Sequence, residues 1–438
     1  MKIPFNKPWF TGKEIQNITS AASFGHISSN GIYTQKCHTY FERKYGFKKV
    51  FLTSSCTDAM EMAAILMNLN DGDEIIMPSY TFVSTTSPFI LRGASIAFAD
   101  SLPNHPNIDL DHAEELINDR TKVLMVMHYG GVAVDMDKAV YLAEKYDLIL
   151  LEDTAHSIDS YYKGKPLGSF GHFSTCSFHE TKNISSGEGG MLVVNDENFI
   201  PRAEIIWEKG TNRSAFSRGE ISKYEWVDVG SSYNPSDMIA AFLYAQLNHL
   251  EDIQQTRINI WHRYESNLKA LANDGSIELP LINDYATNNG HVFYLITSSK
   301  SERNNLLKYL NSKKIQAVFH YLPLHKSPYY KDKYDGKPLL NTQKFADRLI
   351  RLPLFYELPL EIVDMICQKV IEFYERNPIY FKNFMSFFHP MSEEILERYK
   401  GDRDTDGFYS SGNYEGPYFG EINLDGNKLI HPEFETLP

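Results

Sequence analysis

Short apolar runs alternate with helical patterns between residues 47 and 200. The runs are continuously hydrophobic, which is typical of strands that are buried on both faces. Helical patterns such as Asp58–Leu69 and Met136–Lys145 lie between them, so we predict repeated βα units and a mostly parallel sheet. The predicted strands are Lys49–Thr53, Glu74–Met77, Ser95–Ala99, Val123–Met127, Leu148–Leu151, Thr175–Phe178 and Met191–Val194.

The pattern changes in the second half of the chain. A long helical pattern begins near Ser236 and runs toward Leu271. We therefore predict a large α/β domain over 1–250 and a smaller α+β domain over 251–376, followed by an appended segment over 377–438 without an assigned role. In the smaller domain we predict strands at Ile277–Leu279, Val292–Ile296 and Ala317–His320 and helices at Asn304–Leu310 and Glu361–Tyr374; in the appended segment, one short helix around Ser392–Tyr399.

Composition excludes several classes of protein. Apolar residues make up 42% of the chain, which is ordinary for a soluble globular protein. The net charge of -13 argues against a nucleic-acid or anionic-membrane surface, because both need clustered Lys and Arg. The apolar runs are too short to span a membrane, and we expect no signal peptide. The four cysteines form no CxxC pair, so we expect no metal site, no disulfide framework and a cytoplasmic location.

A lysine and an acid each follow a predicted strand. Lys182 lies just beyond Thr175–Phe178, where a partly desolvated lysine has a lowered pKa and can form an imine with an aldehyde. A surface lysine in a glycine-rich loop is the alternative. Asp153 and His156 follow the apolar run that ends at Leu151. A carboxylate there can pair with a protonated ring nitrogen of a cofactor, or it can simply cap a helix.

Two further segments follow strand ends and are weaker signals alone. Ser55, Cys56 and Thr57 lie between the first predicted strand and the first helix. Hydroxyl side chains and free amides at a helix start can bind a phosphate, although ordinary N-capping uses the same residues. Phe82 follows the second strand and can stack on a flat ring or belong to the core. Ligands of such sheets bind at the carboxyl ends of the strands, so these side chains are expected to meet.

The order of phosphate cradle, aromatic, acid and lysine resembles that of fold type I enzymes that use pyridoxal 5'-phosphate. More closely, residues 1–376 resemble the DegT/StrS sugar-nucleotide aminotransferases, with the segments above, the opening Ile3–Asn6 and the segment Phe319–His325. This resemblance implies a seven-stranded sheet of the aminotransferase kind. The segments 208–214 and 223–233 favour the branch that converts TDP-4-keto-6-deoxyglucose to TDP-4-amino-4,6-dideoxygalactose with glutamate as amino donor, in surface polysaccharide synthesis.

The resemblance also implies roles for individual residues. Lys182 would bind the cofactor covalently and move the proton, and Asp153 would pair with the pyridine nitrogen. His156 stands at the cofactor rim, where this branch often has Gln. Asn234 would reach the cofactor phosphate of a neighbouring subunit, which makes a homodimer with shared sites the expected active unit. The remaining cofactor contacts would be Ser55, Cys56, Thr57, Phe82 and Ser177, and the contacts to the nucleotide sugar would be Lys209, Arg213, His320, Tyr321 and His325.

Other functions stay open at this point. A dehydratase of the same family would carry His in place of Lys182, which argues against it. Amination at C3 of the sugar, or of a GDP-linked sugar, is compatible with the same residues. A regulatory protein built on the cofactor fold would need a basic DNA-binding module, and the tail shows no such pattern. A scaffold with a degenerate site is disfavoured, because the lysine, acid and cradle are all present.

Overall fold

The computed structural model describes residues 2–377 of the chain. The predicted helix at Ser392–Tyr399 and most of the appended segment lie outside this range. The strands of the described part are β1 (Lys49–Thr53), β2 (Glu74–Pro78), β3 (Ser95–Ala99), β4 (Thr121–Met127), β5 (Ile149–Asp153), β6 (Tyr161–Tyr162), β7 (Lys165–Pro166), β8 (Phe173–Ser177), β9 (Gly190–Val194), β10 (Phe293–Ile296) and β11 (Leu349–Leu352).

Thirteen α-helices surround these strands within residues 2–377. They are α1 (Glu14–Ser23), α2 (Ile32–Tyr45), α3 (Cys56–Leu66), α4 (Ser87–Ile90), α5 (Leu110–Leu116), α6 (Met136–Lys145), α7 (Ile200–Trp207), α8 (Arg213–Ser217), α9 (Asp237–Leu247), α10 (Leu250–Asn273), α11 (Lys300–Ser312), α12 (Leu340–Arg348) and α13 (Leu360–Arg376). None of the helices in this range is long and apolar enough to cross a membrane.

A seven-stranded sheet in the order β1-β9-β8-β5-β4-β2-β3 forms the centre of the fold. The pairs from β8 to β3 are parallel, while β9 is antiparallel to both β1 and β8. The predicted mostly parallel sheet and its seven strands are therefore confirmed. Thr53 and Ser177 both pair with Gly190, and Asp153 pairs with Met127 and Thr175. The carboxyl ends of the parallel strands thus meet at one edge.

Both faces of the sheet are buried, as the continuous apolar runs predict. Successive residues of β1 point into different hydrophobic clusters, with Phe51 on one face and Val50 and Leu52 on the other. The same alternation occurs in β2, where Met77 and Ile76 belong to clusters on opposite faces. Side chains that alternate between two buried layers leave no polar face, which is why these strands show no period of two.

A second core lies around β10, β11, α11 and α13, and it also includes Ile3 near the start of the chain. The helix α10 contributes to two clusters, because Leu250 and Ile253 pack beside the large sheet and Trp261 packs in the second core. The division into domains at residue 250 stays a prediction.

Three of the elements predicted for the second half of the chain were wrong in detail. The long helix from Ser236 is two helices, since His249 bonds to the Gln246 carbonyl three residues back and the α-helical bonding pattern is interrupted there. Ile277–Leu279 and Ala317–His320 form isolated bridges rather than strands. Pro280, which has no N–H group, directly follows the first of them. The Ala317 amide bonds to the Ile315 carbonyl and bends the second.

Phe51→Ala is expected to destabilise the large core. Phe51 is 1% exposed and packs against the rings of His38 and Trp207. Its truncation should lower the free energy of unfolding by about 3–5 kcal/mol, measured as a shift of the urea midpoint. Phe24→Ala is the matched control, because Phe24 is 55% exposed and should change stability by less than about 0.5 kcal/mol. Equal shifts for both variants would contradict this account of the core.

Candidate active site

Lys182 lies in the loop between β8 and β9, at the carboxyl edge of the sheet. Its amide donates to the His179 carbonyl at 2.9 Å. The next residue, Asn183, is buried and donates to the Gln254 side chain (2.8 Å) and the Asn289 carbonyl (2.9 Å), which fixes the loop. Desolvation lowers the pKa of Lys182, and the nearby Asp153 opposes this shift. Burial therefore makes the neutral, nucleophilic form of this lysine more accessible than that of a lysine in water.

Asp153 is the last residue of β5 and is buried. One carboxylate oxygen accepts from the Thr85 hydroxyl at 2.9 Å, and the other accepts from the Ala155 amide at 3.0 Å. Burial raises the pKa of Asp153, while these two hydrogen bonds and the charge of Lys182 act to lower it. The site thus provides the acid with donors that favour its ionised form.

The neighbouring carboxylate, Glu152, has a different role. It is fully buried and accepts from the amides of Gly168 (2.8 Å), Phe170 (2.8 Å) and Gly171 (2.7 Å). It also contacts His128 Nε2 at 3.2 Å. Adjacent residues of a strand point to opposite faces of the sheet, so Glu152 anchors the 168–171 loop while Asp153 faces the site.

A cluster of rings lies beside Asp153 and Lys182. This ring cluster consists of Tyr129, His156, His291, His320 and Tyr321. The His156 and His291 rings stack at 4.3 Å, and the His320 and Tyr321 rings at 3.6 Å. The His320 Nδ1 atom is 2.6 Å from the Tyr129 hydroxyl. Residues from four separate parts of the chain therefore form one wall of the site.

Burial keeps His156 uncharged, because desolvation lowers its pKa well below the usual range. The Gly130 amide donates to its Nδ1 atom at 3.3 Å. The neutral ring then carries its proton on Nε2, which lies 3.1 Å from the Tyr321 hydroxyl and donates to it. The two bonds fix both the tautomer and the orientation of the ring.

The residues of the predicted cradle lie at the N-terminus of α3. Ser55 is the N-cap residue and its hydroxyl accepts from the Asp58 amide at 3.1 Å. The Thr57 hydroxyl donates to Ser84 at 2.9 Å. Gly190 packs so closely that an added Cβ would lie 2.4 Å from the Cys56 nitrogen. The first amides of the 11-residue helix have no partners inside the helix, so they can bind an anion.

Two further predicted cofactor contacts are Ser177 and Phe82. Ser177 ends β8 and is buried, and its hydroxyl accepts from the His179 amide at 3.4 Å. Phe82 is 56% exposed, and its ring lies 6.4 Å from that of Tyr321. An exposed aromatic beside the ring cluster is free to stack on a flat ligand.

The predicted substrate contacts separate into three groups. His320 and Tyr321 belong to the ring cluster. His325 is 3% exposed and packs behind β2, with its Nδ1 atom 2.7 Å from the Ser79 hydroxyl. Lys209 donates to Asn234 at 3.2 Å, and Arg213 is exposed at the start of α8. The structure thus brings His320 and Tyr321 to the site, while His325 is part of the packing.

Several residues of this site were not identified from sequence. Thr85 follows Phe82 by three residues, and Tyr129 follows the end of β4, so strand ends offered a signal for both. His291 reaches the site because its Nδ1 atom is 2.8 Å from the Asn183 side chain. Arg351 lies in a strand that the sequence analysis did not predict. No local pattern indicated these last two.

Comparison with known proteins identifies the family. A lysine and an acid beside a helix start, at the carboxyl edge of a seven-stranded sheet, define the fold type I class of aminotransferase. The chain belongs to the DegT/DnrJ/EryC1/StrS aminotransferase family, which it matches over residues 10–371. The predicted family, fold and dependence on pyridoxal 5'-phosphate are confirmed.

Individual relatives cover nearly the same length. The chain is 30% identical over 377 residues to the spore coat polysaccharide biosynthesis protein SpsC of Bacillus subtilis, spanning 84% of this chain and 96% of that protein. It is 31% identical over 373 residues to GDP-perosamine synthase of Escherichia coli O157:H7, spanning 85% and 98%. A sugar aminotransferase structure from Streptococcus pneumoniae, solved in its PMP form, superposes with a TM-score of 0.80 at 25% identity, spanning 85% and 99%.

The residues present fit pyridoxal 5'-phosphate. Lys182 can hold its aldehyde carbon, the amides at the start of α3 can hold its phosphate, and Asp153 can hold its ring nitrogen. The close approach of Gly190 to Cys56 leaves no room for a side chain at this point of the cradle.

Thr85→Val should shift the pH dependence of the enzyme. The Thr85 hydroxyl lowers the pKa of Asp153, so its removal raises that pKa and Asp153 becomes protonated at a higher pH. The acid limb of the profile of kcat/KM against pH should therefore move to higher pH, and kcat/KM should fall by about tenfold or more. Thr86→Val is the matched control, since the buried Thr86 hydroxyl bonds to Met77 instead. An unchanged acid limb in Thr85→Val would contradict this role.

Proposed function

We propose that this aminotransferase transfers an amino group from glutamate to a nucleotide-linked 4-keto-6-deoxy sugar. The proposed conversion is TDP-4-keto-6-deoxyglucose to TDP-4-amino-4,6-dideoxygalactose, in surface polysaccharide synthesis. The observation that carries it is the placement of Lys182 near Asp153 at the cradle of α3, with the partly exposed His320 and Tyr321 of the ring cluster close by. The names of SpsC and GDP-perosamine synthase support a sugar as acceptor. The four cysteines are free thiols, which supports a cytoplasmic location.

Each residue of the site has its own role in this reaction. Pyridoxal 5'-phosphate, when bound, supplies an electron sink next to the carbon that gains or loses a proton. Lys182 is the base that takes the α-proton of glutamate, and its lowered pKa makes the neutral form available nearer neutral pH. The same lysine returns a proton in the half-reaction that aminates the sugar. Asp153 balances positive charge at the ring nitrogen, and neutral His156 braces the site through Tyr321.

A GDP-linked sugar is the second candidate acceptor. GDP-perosamine synthase is 31% identical to this chain. The exposed Arg213 and Lys209 offer charge to a diphosphate without selecting the base of the nucleotide. The two candidates therefore differ only in what holds the nucleotide, so each must be offered to the enzyme.

We also propose that the active unit is a homodimer with shared sites. The Asn234 amide nitrogen is buried and has no hydrogen-bond partner among residues 2–377, while its oxygen accepts from Lys209. The segment just before it exposes large apolar side chains, and Trp226 is 82% exposed. Such a surface is typical of a protein contact. A second copy of the chain packed on this segment would bring Asn234 to the neighbouring cradle.

Lys182→Ala is expected to abolish the reaction. The purified holoenzyme is mixed with glutamate and either the TDP-linked or the GDP-linked 4-keto-6-deoxy sugar. Release of 2-oxoglutarate is followed, and the sugar product is identified by mass and NMR. Wild type should form the 4-amino-4,6-dideoxy sugar from the TDP substrate, and the variant should form neither product. Turnover of the GDP sugar alone would overturn the proposed acceptor, and an active Lys182→Ala variant would overturn the mechanism.

Mixing two impaired variants tests the shared site. Lys182→Ala and Asn234→Ala are each expected to have low activity. In a mixed dimer with shared sites, one site would carry both changes and the other neither. Co-refolding the two variants should therefore restore part of the activity, with each variant refolded alone as the control. Activity that equals the average of the two separate variants would contradict site sharing.

A further inference from the structure

Arg351 is a cation without an anionic partner beside the active site. It lies in β11 and is partly buried. Among the described residues it forms no ion pair, and its guanidinium makes only one long hydrogen bond, from Nη2 to the Phe319 carbonyl at 3.4 Å. Its Nε atom is buried and unpaired. Most of the N–H donors of the guanidinium therefore have no protein acceptor and are available to a ligand.

The position of the guanidinium is fixed by its surroundings. Its central carbon lies 4.7 Å from the centre of the Phe5 ring, which covers one flat face. The backbone of Arg351 pairs with Val318 in both directions, at 2.7 and 3.1 Å. This bridge places Arg351 next to the segment that carries His320 and Tyr321. The side chain is thus fixed on one face and by its backbone, while most of its N–H groups have no protein acceptor, which suits recognition of a planar anion.

The groups around Arg351 do not neutralise its charge. Burial raises the pKa values of Tyr80, Tyr129 and Tyr321, so all three hydroxyls are uncharged. Burial lowers the pKa values of Lys182 and His320, and the charge of Arg351 adds to both shifts. A desolvated cation without a counter-charge is costly. An anionic ligand would remove this cost.

We infer that Arg351 binds the carboxylate of the amino donor and of the 2-oxo acid that the donor becomes. This inference rests on the proposed function. An amino acid carries its carboxylate on the very carbon whose proton Lys182 must take, so a cation close to Lys182 is well placed to bind that carboxylate. The sugar has no charge at its keto carbon, and its diphosphate lies several bonds away. A planar carboxylate also matches the guanidinium fork.

The two half-reactions distinguish the two candidate anions, because the carboxylate belongs to the amino donor and the diphosphate belongs to the sugar nucleotide. Arg351→Gln is examined by stopped-flow absorbance, first as the pyridoxal form with glutamate and then as the pyridoxamine form with the keto-sugar nucleotide. The glutamate concentration for half-maximal rate should rise about 30-fold or more, since one partner of a buried charge pair is removed. The sugar half-reaction should change by less than about threefold. Arg351→Lys should recover part of the loss, because it keeps the charge but not the fork.

Arg303→Gln is the matched control. Arg303 is also a buried arginine, with its central carbon 5.3 Å from the Phe319 ring, but the carboxylate of Asp347 acts on it. This variant should leave the glutamate dependence unchanged. Loss confined to the sugar half-reaction in Arg351→Gln would assign Arg351 to the diphosphate and overturn the inference. Equal losses in both half-reactions, unimproved in Arg351→Lys, would make the residue merely structural and would also overturn it.

Binding of glutarate tests the same contact without turnover. Glutarate has two carboxylates and no amino group, and its binding to the pyridoxal form is measured by isothermal titration. Wild type and Arg303→Gln should bind it, and Arg351→Gln should bind about 30-fold more weakly. If wild type fails to react with glutamate, the proposed donor fails, and the glutarate comparison still decides the role of Arg351. Equal binding by both variants, or none by wild type, would overturn the inference.

Discussion

Burial of opposite charges at one edge of the sheet is the constraint on which the site depends. Desolvation raises the pKa of Asp153 and lowers that of Lys182, and each charge opposes the shift of the other. Neither group could remain ionised alone in this environment without a large cost. The pairing of Asp153 with Met127 and Thr175 holds the acid at the strand ends. The hydrogen bonds of Asn183 hold the lysine loop against it.

Site residues that directly follow the end of a strand were predictable from sequence. A strand buried on both faces is continuously apolar, so the end of each run marks the edge where polar side chains can meet. Asp153 and Lys182 were identified in this way, together with the start of α3. The same reasoning could not decide whether Glu152 or Asp153 faces the site, since both are carboxylates at the same strand end. The structure separates them, because Glu152 uses its oxygens on three loop amides and Asp153 does not.

Contacts between distant segments were not predictable. Arg351 reaches the site through one bridge to Val318, and His291 through one bond to Asn183. Neither contact leaves a periodic pattern in the chain, since each involves a single residue pair. His325 shows the opposite case, in which a histidine within a family-like segment packs against Ser79 and burial lowers its pKa to about 4. Its neighbour in the motif, His320, contacts Tyr129 instead.

Charge in the site is local and does not follow the charge of the whole chain. The net charge is -13, so the long-range field does not attract an anionic substrate. Burial lowers the pKa values of His156, His291 and His320, and the charges of Lys182 and Arg351 act on all three rings in the same direction. The α3 amides would hold the phosphate of the cofactor in both half-reactions, whereas Arg351 would hold a carboxylate only in the half-reaction with the amino donor. One lysine would then serve two substrates in turn, because the anion that Arg351 binds belongs to the amino donor alone.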